Sequence, residues 1–296
     1  MSHHVELITL ALITLLAATV NGALGYGFSS LTVPVALLFY TNRILNPALV
    51  LVEVVLNGYI LFINRKSVPV VWRRVLPILL GLIPGVLAGS YVLSWLNPGW
   101  LKFSTYAILL PLILLQAAGV RRPIRSEWVV GIPFGASVGV LYSVTTVSGP
   151  PLALMFNNQG FVKQEFRAAL GLIRVVESTL TATAYYFLGL NSVKSAQILS
   201  SIVPSVAIGV PLGAYLIRRI SPETFRRVCM SFDAWVVGFG FSRVLIDLGL
   251  ILSPMAYSVW LAAVLMDAYL LYLYFSGKRE ASSRQPSAVF PGHADS

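Results

Sequence analysis

Two glutamates, Glu53 and Glu177, each lie inside a long apolar run, and a constant offset of 124 residues relates them. A carboxyl at membrane depth costs on the order of a few kcal/mol, so one that is retained is usually functional or paired. A low-dielectric surrounding favours the neutral carboxyl, the property that a proton-coupling site needs. Arg174 is a third ionisable residue well inside an apolar stretch, three residues before Glu177. Its planar fork suits an anionic substrate. Hydroxyls gather at two further places. Ser29, Ser30 and Thr32 precede Pro34, and Thr145, Thr146, Ser148 and Gly149 precede Pro150 and Pro151. A helix broken there inside a membrane exposes N–H groups and a positive dipole end, which with the hydroxyls form a cradle for an oxyanion. Tyr26, Phe28, Tyr142, Phe156 and Asn57 stand close enough in sequence to line such a pocket.

Each feature has a plainer reading. Either glutamate can be a structural carboxyl bonded to a neighbouring helix. Arg174 can form an intrahelical pair with Glu177, or reach an interface. The breaks can be ordinary Gly/Pro kinks with Ser and Thr as packing glue. Asp247 and Asp267 look like span-end residues facing water, Asp233 could pair with a basic residue of the preceding loop, and Trp72, Trp95, Trp100 and Trp128 look like an interfacial belt.

The elements that must position these residues are helices. The chain has 296 residues, 57% hydrophobic and only 11% charged, whereas soluble domains carry roughly 25% charged residues. Apolar segments long enough to cross a bilayer recur from end to end, and runs such as 107–120 are apolar on every face. That excludes a β-barrel, which needs alternation. The net charge of +10 comes from Lys and Arg at the ends of apolar runs, a topology signal rather than a nucleic-acid surface. Cys229 is the only cysteine and the three histidines are terminal. No metal site, no cofactor and no enzyme chemistry is therefore expected, and no Walker motif suggests an ATP motor. A retained first segment is expected in place of a cleaved signal peptide.

The chain also matches itself. Gly85, Gly89, Tyr91 and Pro98 recur as Gly209, Gly213, Tyr215 and Pro222 at the glutamates' offset of 124, while Gly22 and Pro34 match Gly139 and Pro151 at 117. Loop charge is opposite in the two copies. The stretch 64–74 holds Arg65, Lys66, Arg73 and Arg74 against only Lys194 in its counterpart, and 94–99 holds none against Arg218 and Arg219. Opposite bias implies opposite orientation. The expected architecture is an all-α polytopic membrane protein: a first repeat over 5–120, a second, inverted repeat over 128–248, broken helical hairpins (spanning or re-entrant), an extra C-terminal helix over 254–275, and a disordered cytoplasmic tail over 276–296. The N-terminus is expected outside.

The broken hairpins (Gly22 to Pro34, Gly139 to Pro151) and the Gly-x-x-x-Gly-x-Tyr followed by Asn-Pro or Ser-Pro in each half resemble the TauE/SafE family over roughly residues 8–275. The second break, Thr145-Thr146-Val147-Ser148-Gly149-Pro150, has fewer glycines than is usual there. The resemblance implies transport of sulfite or organosulfonates across the bacterial inner membrane, with direction open. The expectation is a secondary transporter whose small anionic substrate binds at Ser29, Ser30, Thr145, Thr146, Ser148, Gly149 and Arg174, coupled to protons through Glu53 and Glu177. The lipid bilayer is its surrounding and nucleic acid is not a partner. The aromatic residues suit an organosulfonate over sulfite. The alternatives are an exporter of sulfite or another inorganic anion, a non-transporting assembly or sensory subunit, and a channel.

Overall fold

The computed structural model describes residues 3–118, 127–157, 161, 163–216 and 222–283. Their regular structure is helical: α1 (His3–Leu24), α2 (Phe28–Ala36), α3 (Asn42–Ile63), α4 (Val68–Trp95), α5 (Pro98–Ala117), α6 (Glu127–Thr145), α7 (Gly149–Asn157), α8 (Lys163–Phe187), α9 (Val193–Leu216), α10 (Pro222–Asp247) and α11 (Tyr257–Ser283), with one 3-10 turn at Arg65–Ser67. Eight are long and apolar enough to cross a membrane: α1, α3, α4, α5, α6, α9, α10 and α11. The chain is thus an all-α, multi-pass membrane protein. The helix α8 is 25 residues long but carries Lys163, Glu165, Arg167, Arg174 and Glu177.

The two short helices explain the broken hairpins. At nine residues each, α2 and α7 reach about 13 Å, under half of a hydrocarbon core of about 30 Å. The first break is shorter than the sequence suggests. Helix α1 continues through Asn21 and Gly22, and only Gly25–Gly27 leave the helix, with Gly25 and Gly27 at φ of 85° and 104°. A residue with a Cβ rarely adopts such angles. Non-helical backbone survives in a membrane only where protein covers it, and residues 25–27 and 146–148 are buried. The chain then doubles back. Tyr40 and Thr41, after α2, line a cavity with Glu6 and Leu7 from the start of α1. The second hairpin starts at the other end, where Gly131 of α6 abuts Pro77 in the early turns of α4.

The closest helix crossings join the two halves of the chain: α1 packs on α9, and α4 on α6. Backbones meet there because glycine removes the intervening side chain. A methyl group at Gly213 would overlap the Thr19 carbonyl oxygen, and one at Gly85 that of Ala136. No rotamer relieves a clash with backbone. We expect Gly213→Ala to part α1 from α9 at a cost of about 1–3 kcal/mol or more, read as a lower melting temperature in detergent. Gly58→Ala, whose Cβ meets nothing within 4 Å, should leave the melting temperature unchanged. Equal melting of the two variants would refute the crossing.

The helix α11 packs on α10 and leaves Leu261, Leu265, Met266, Tyr269 and Tyr272 exposed toward lipid. Asp267 corrects a sequence expectation. It lies ten residues inside α11, fully buried, 3.0 Å from Arg227 Nη2 and accepting from Trp235 Nε1 at 3.1 Å. Asp233 is also buried, and its Oδ1 has no hydrogen-bond partner. The helix α11 runs to Ser283, beyond the expected tail boundary at 276, and the tail past it lies outside the described residues. Trp72, Trp95, Trp100 and Trp128 are all exposed near helix ends, as a belt requires.

Candidate functional site

Glu53 stands halfway along α3 and has no solvent exposure. Three other helices supply its partners. Ser29 Oγ of α2 donates to Oε1 at 2.7 Å, Arg174 Nη2 of α8 donates to the same oxygen at 2.7 Å, and the Tyr142 hydroxyl of α6 donates to Oε2 at 2.6 Å. Both carboxyl oxygens of Glu53 therefore have good donors, and one of them pairs with a cation. Each of the two hydrogen bonds from neutral hydroxyls to a charged acceptor contributes about 1.5–3 kcal/mol.

Glu177, three residues after Arg174 on α8, is built differently. Ser148 Oγ donates to its Oε2 at 2.6 Å, and its Oε1 has no hydrogen-bond partner. The intrahelical pair that the spacing allowed is not formed, because Arg174 reaches across to Glu53 instead. Arg174 is 2% exposed, and its Nε and Nη1 have no hydrogen-bond partner. A buried guanidinium leaves N–H groups unmatched at a cost of about 1–3 kcal/mol each, so Arg174 carries two unpaired donors on the same helix as the unpaired Glu177 oxygen.

The breaks adjoin this centre. Tyr26 of the first packs against Gly149 of the second, and Tyr26, Gly27, Ser30, Pro150 and Asp233 line one small cavity. Thr146 takes φ of 57°, and Thr145 Oγ1 accepts from the Val147 N–H at 3.1 Å while donating to Leu141 O at 2.7 Å. Thr145 therefore stabilises the turn. Thr146 Oγ1 turns to the Thr145 carbonyl. Of the proposed hydroxyls, Ser29 and Ser148 are the two that touch the glutamates. Phe28 packs into the core around α1, α3 and α5. Phe156 packs edge-on against Phe161 and Phe166, and Phe166 also contacts Tyr26. Asn57 is buried one turn beyond Glu53, with its Nδ2 unpartnered.

Several positioning residues escape a reading by motif. A helix that stops inside protein leaves carbonyls needing donors. At the end of α6, Val144 O accepts from Asn42 and Asn46 at 3.2 and 2.7 Å, and Ser143 O accepts from the Tyr185 hydroxyl. At the end of α1, Ala23 O accepts from Arg167 at 2.8 Å. The C-terminal turn of α2 is tied to α5 by Tyr106 donating to Pro34 O and Lys102 to Leu37 O. A polar pair spaced i, i+4 at the head of an apolar span, Asn42 and Asn46, was the available signal. Among the described residues, no three His, Cys, Asp or Glu side chains gather as a metal site.

Comparison with known proteins agrees with this architecture. The profile of the family described as "Sulfite exporter TauE/SafE" matches residues 10–240. A relative from Cupriavidus necator, "Probable sulfite/organosulfonate exporter TauE", is 32% identical over 184 residues, covering 59% of this chain and 68% of the relative. No solved structure matches. A family match over most of the chain, on a multi-pass helical protein, establishes that the chain belongs to the TauE/SafE sulfite exporter family of membrane anion transporters.

Proposed function

We propose that the chain is a proton-coupled secondary transporter, not an enzyme, for sulfur-containing organic anions, working by alternating access between two inverted halves. The observation that carries this reading is Arg174, sealed in the bundle with Nε and Nη1 free, next to a carboxyl with one free oxygen. An anion accepts from those two N–H groups and from the Gly149 N–H that opens α7, since Pro150 and Pro151 carry none and the Ser148 hydroxyl is held by Glu177. Glu53 remains the counter-ion of Arg174, because three donors already hold it. Glu177 is the coupling carboxyl. Its negative charge would repel the substrate, whereas a proton on Oε1 removes the charge and adds a donor. One anion thus enters with one proton.

The packing supports two inverted halves. Gly22 abuts Val210 and Gly139 abuts Val86, and these are the same pair under the two sequence offsets. Opposite loop charge supports an N-terminus in the periplasm and a C-terminus in the cytoplasm, in the bacterial inner membrane. Full burial of Glu53, Glu177, Tyr142 and Ser148 corresponds to an occluded state, as alternating access requires.

The test is uptake of labelled benzenesulfonate, a short alkylsulfonate and sulfite into proteoliposomes, with and without an inward proton gradient. Saturable sulfonate flux that rises at least about tenfold with the gradient, roughly the effect of a one-unit pH difference acting on a 1:1 proton-coupled step, is the expected result. Flux that does not saturate would indicate a channel, and flux indifferent to the gradient would remove the coupling.

A further inference from the structure

A second arginine on α8 stands over a cavity that the central site does not use. Arg167 precedes Arg174 by seven residues. Two helical turns place both on one face of α8, about 10 Å apart. A cavity of about 220 Å3 lies beside Arg167 at the end of the bundle where α3 and α9 finish, and Asn21, Gly25, Leu56, Tyr59 and Ile63 share its wall. Among the described residues, the one hydrogen bond of the Arg167 guanidinium is to Ala23 O. Asn21 Oδ1, in the same wall, is buried without a partner. Asn57 Nδ2, also buried and unpartnered, belongs to the turn of α3 between Glu53 and this cavity.

The counterpart of Arg167 behaves differently. Arg43 lies ten residues before Glu53, as Arg167 does before Glu177. At the opposite end of the bundle, Arg43 donates through Nε to Leu93 O and through Nη2 to Leu96 O, both at 2.8 Å. Two carbonyls at the end of α4 thus engage Arg43 on two of its nitrogens, while Arg167 holds one carbonyl and borders open volume.

We propose that the cavity beside Arg167 is a second anion-binding site, a staging point on the path to Arg174, for monovalent anions with a compact apolar group. This rests on the reading of the chain as an anion transporter. The cation recognises the sulfonate or carboxylate head through its fork. Leu56, Tyr59 and Ile63 give an apolar body the contact that bare sulfite cannot use. A charged substrate leaving water then meets a guanidinium first at the mouth, then the Asn57 amide, then Arg174, so no stage leaves it unpaired in a low dielectric.

The experiment is equilibrium binding of labelled benzenesulfonate to the full-length protein in detergent. Wild type should show a tighter and a weaker class of site. The Glu53→Gln/Arg174→Gln double variant removes the central cation together with its counter-ion, and it should keep only the weaker class. Adding Arg167→Gln to that background should weaken the remaining binding by at least about tenfold. Adding Arg167→Lys instead should retain most of it, which separates loss of charge from loss of fold. Labelled sulfite should not bind the double variant. If wild type binds benzenesulfonate and the double variant does not, or if Arg167→Gln leaves residual binding intact, the second site is refuted and the transport reading stands. If wild type binds no benzenesulfonate, the sulfonate reading and the staging site fall together.

Discussion

Replacing Arg174 with glutamine is expected to abolish transport and to destabilise the protein, and the two losses should separate when Glu53 is changed as well. The guanidinium does two things at once. Through Nη2 it neutralises Glu53 at 2.7 Å, with both side chains almost wholly buried. Through Nε and Nη1 it offers the free donors of the site. Removing one member of a buried pair leaves the other uncompensated, at a cost of about 3–5 kcal/mol. Ser29 and Tyr142 continue to donate to Glu53, which places the expected loss at the lower end of that range. The double variant Glu53→Gln/Arg174→Gln carries no buried charge at this point, and the glutamine that replaces Glu53 can still accept from Ser29 or Tyr142. Its melting temperature should return most of the way to wild type. Transport should not return, because neither glutamine supplies a cation to a desolvated sulfonate, and flux should stay at least about a hundredfold down, roughly the 3 kcal/mol of a charge-assisted contact. Melting curves and sulfonate flux on the single and double variants complete the cycle. A double variant that melts and transports like wild type would reduce Arg174 to a neutralising partner and remove it from the substrate site.

The glutamates, the arginine and the breaks were legible in the sequence because each violates its surroundings. A charge in an apolar run, or Gly and Pro where a helix should continue, stands out without any alignment. The self-match stands out for the same reason, since Gly85 with Gly89 and Gly209 with Gly213 are repeated at one spacing. The partnerships were not legible. Local spacing offered Arg174 to Glu177 on its own helix, yet the contact formed is with Glu53 in the other half. That choice depends on α3 and α8 packing together, which no short-range pattern encodes. The same limit hid the donors for the interrupted helices. Asn42, Asn46 and Tyr185 look like ordinary polar residues until the end of α6 is seen against α3 and α8. Asp267 was misplaced because α11 extends past the polar residues that were expected to end it.

Glu177→Gln should uncouple the transporter without stopping it. The two carboxyls are unequal in a way that assigns the moving proton. Glu53 accepts three hydrogen bonds, one from a cation. Glu177 accepts one, from Ser148, and leaves Oε1 unpartnered. Glutamine reproduces the neutral, protonated carboxyl in shape and in hydrogen bonding, since its carbonyl oxygen can take the Ser148 bond while its amide donates where the proton would sit. The variant therefore stays permanently in the anion-accepting form. Exchange of labelled for unlabelled sulfonate, which needs no net proton movement, should remain within about threefold of wild type, a change under 1 kcal/mol. Accumulation driven by an imposed pH gradient should vanish, because no titrating group links the anion to the gradient. Glu53→Gln should behave in the opposite way. It leaves Arg174 without its counter-ion, so the guanidinium holds the anion too tightly to release it, and both exchange and net flux should slow. Counterflow and gradient-driven uptake measured on the same vesicles distinguish the two outcomes. If Glu177→Gln kept gradient-driven accumulation, the coupling proton would have to reside on another group, and Glu177 would be a structural acceptor for Ser148 alone.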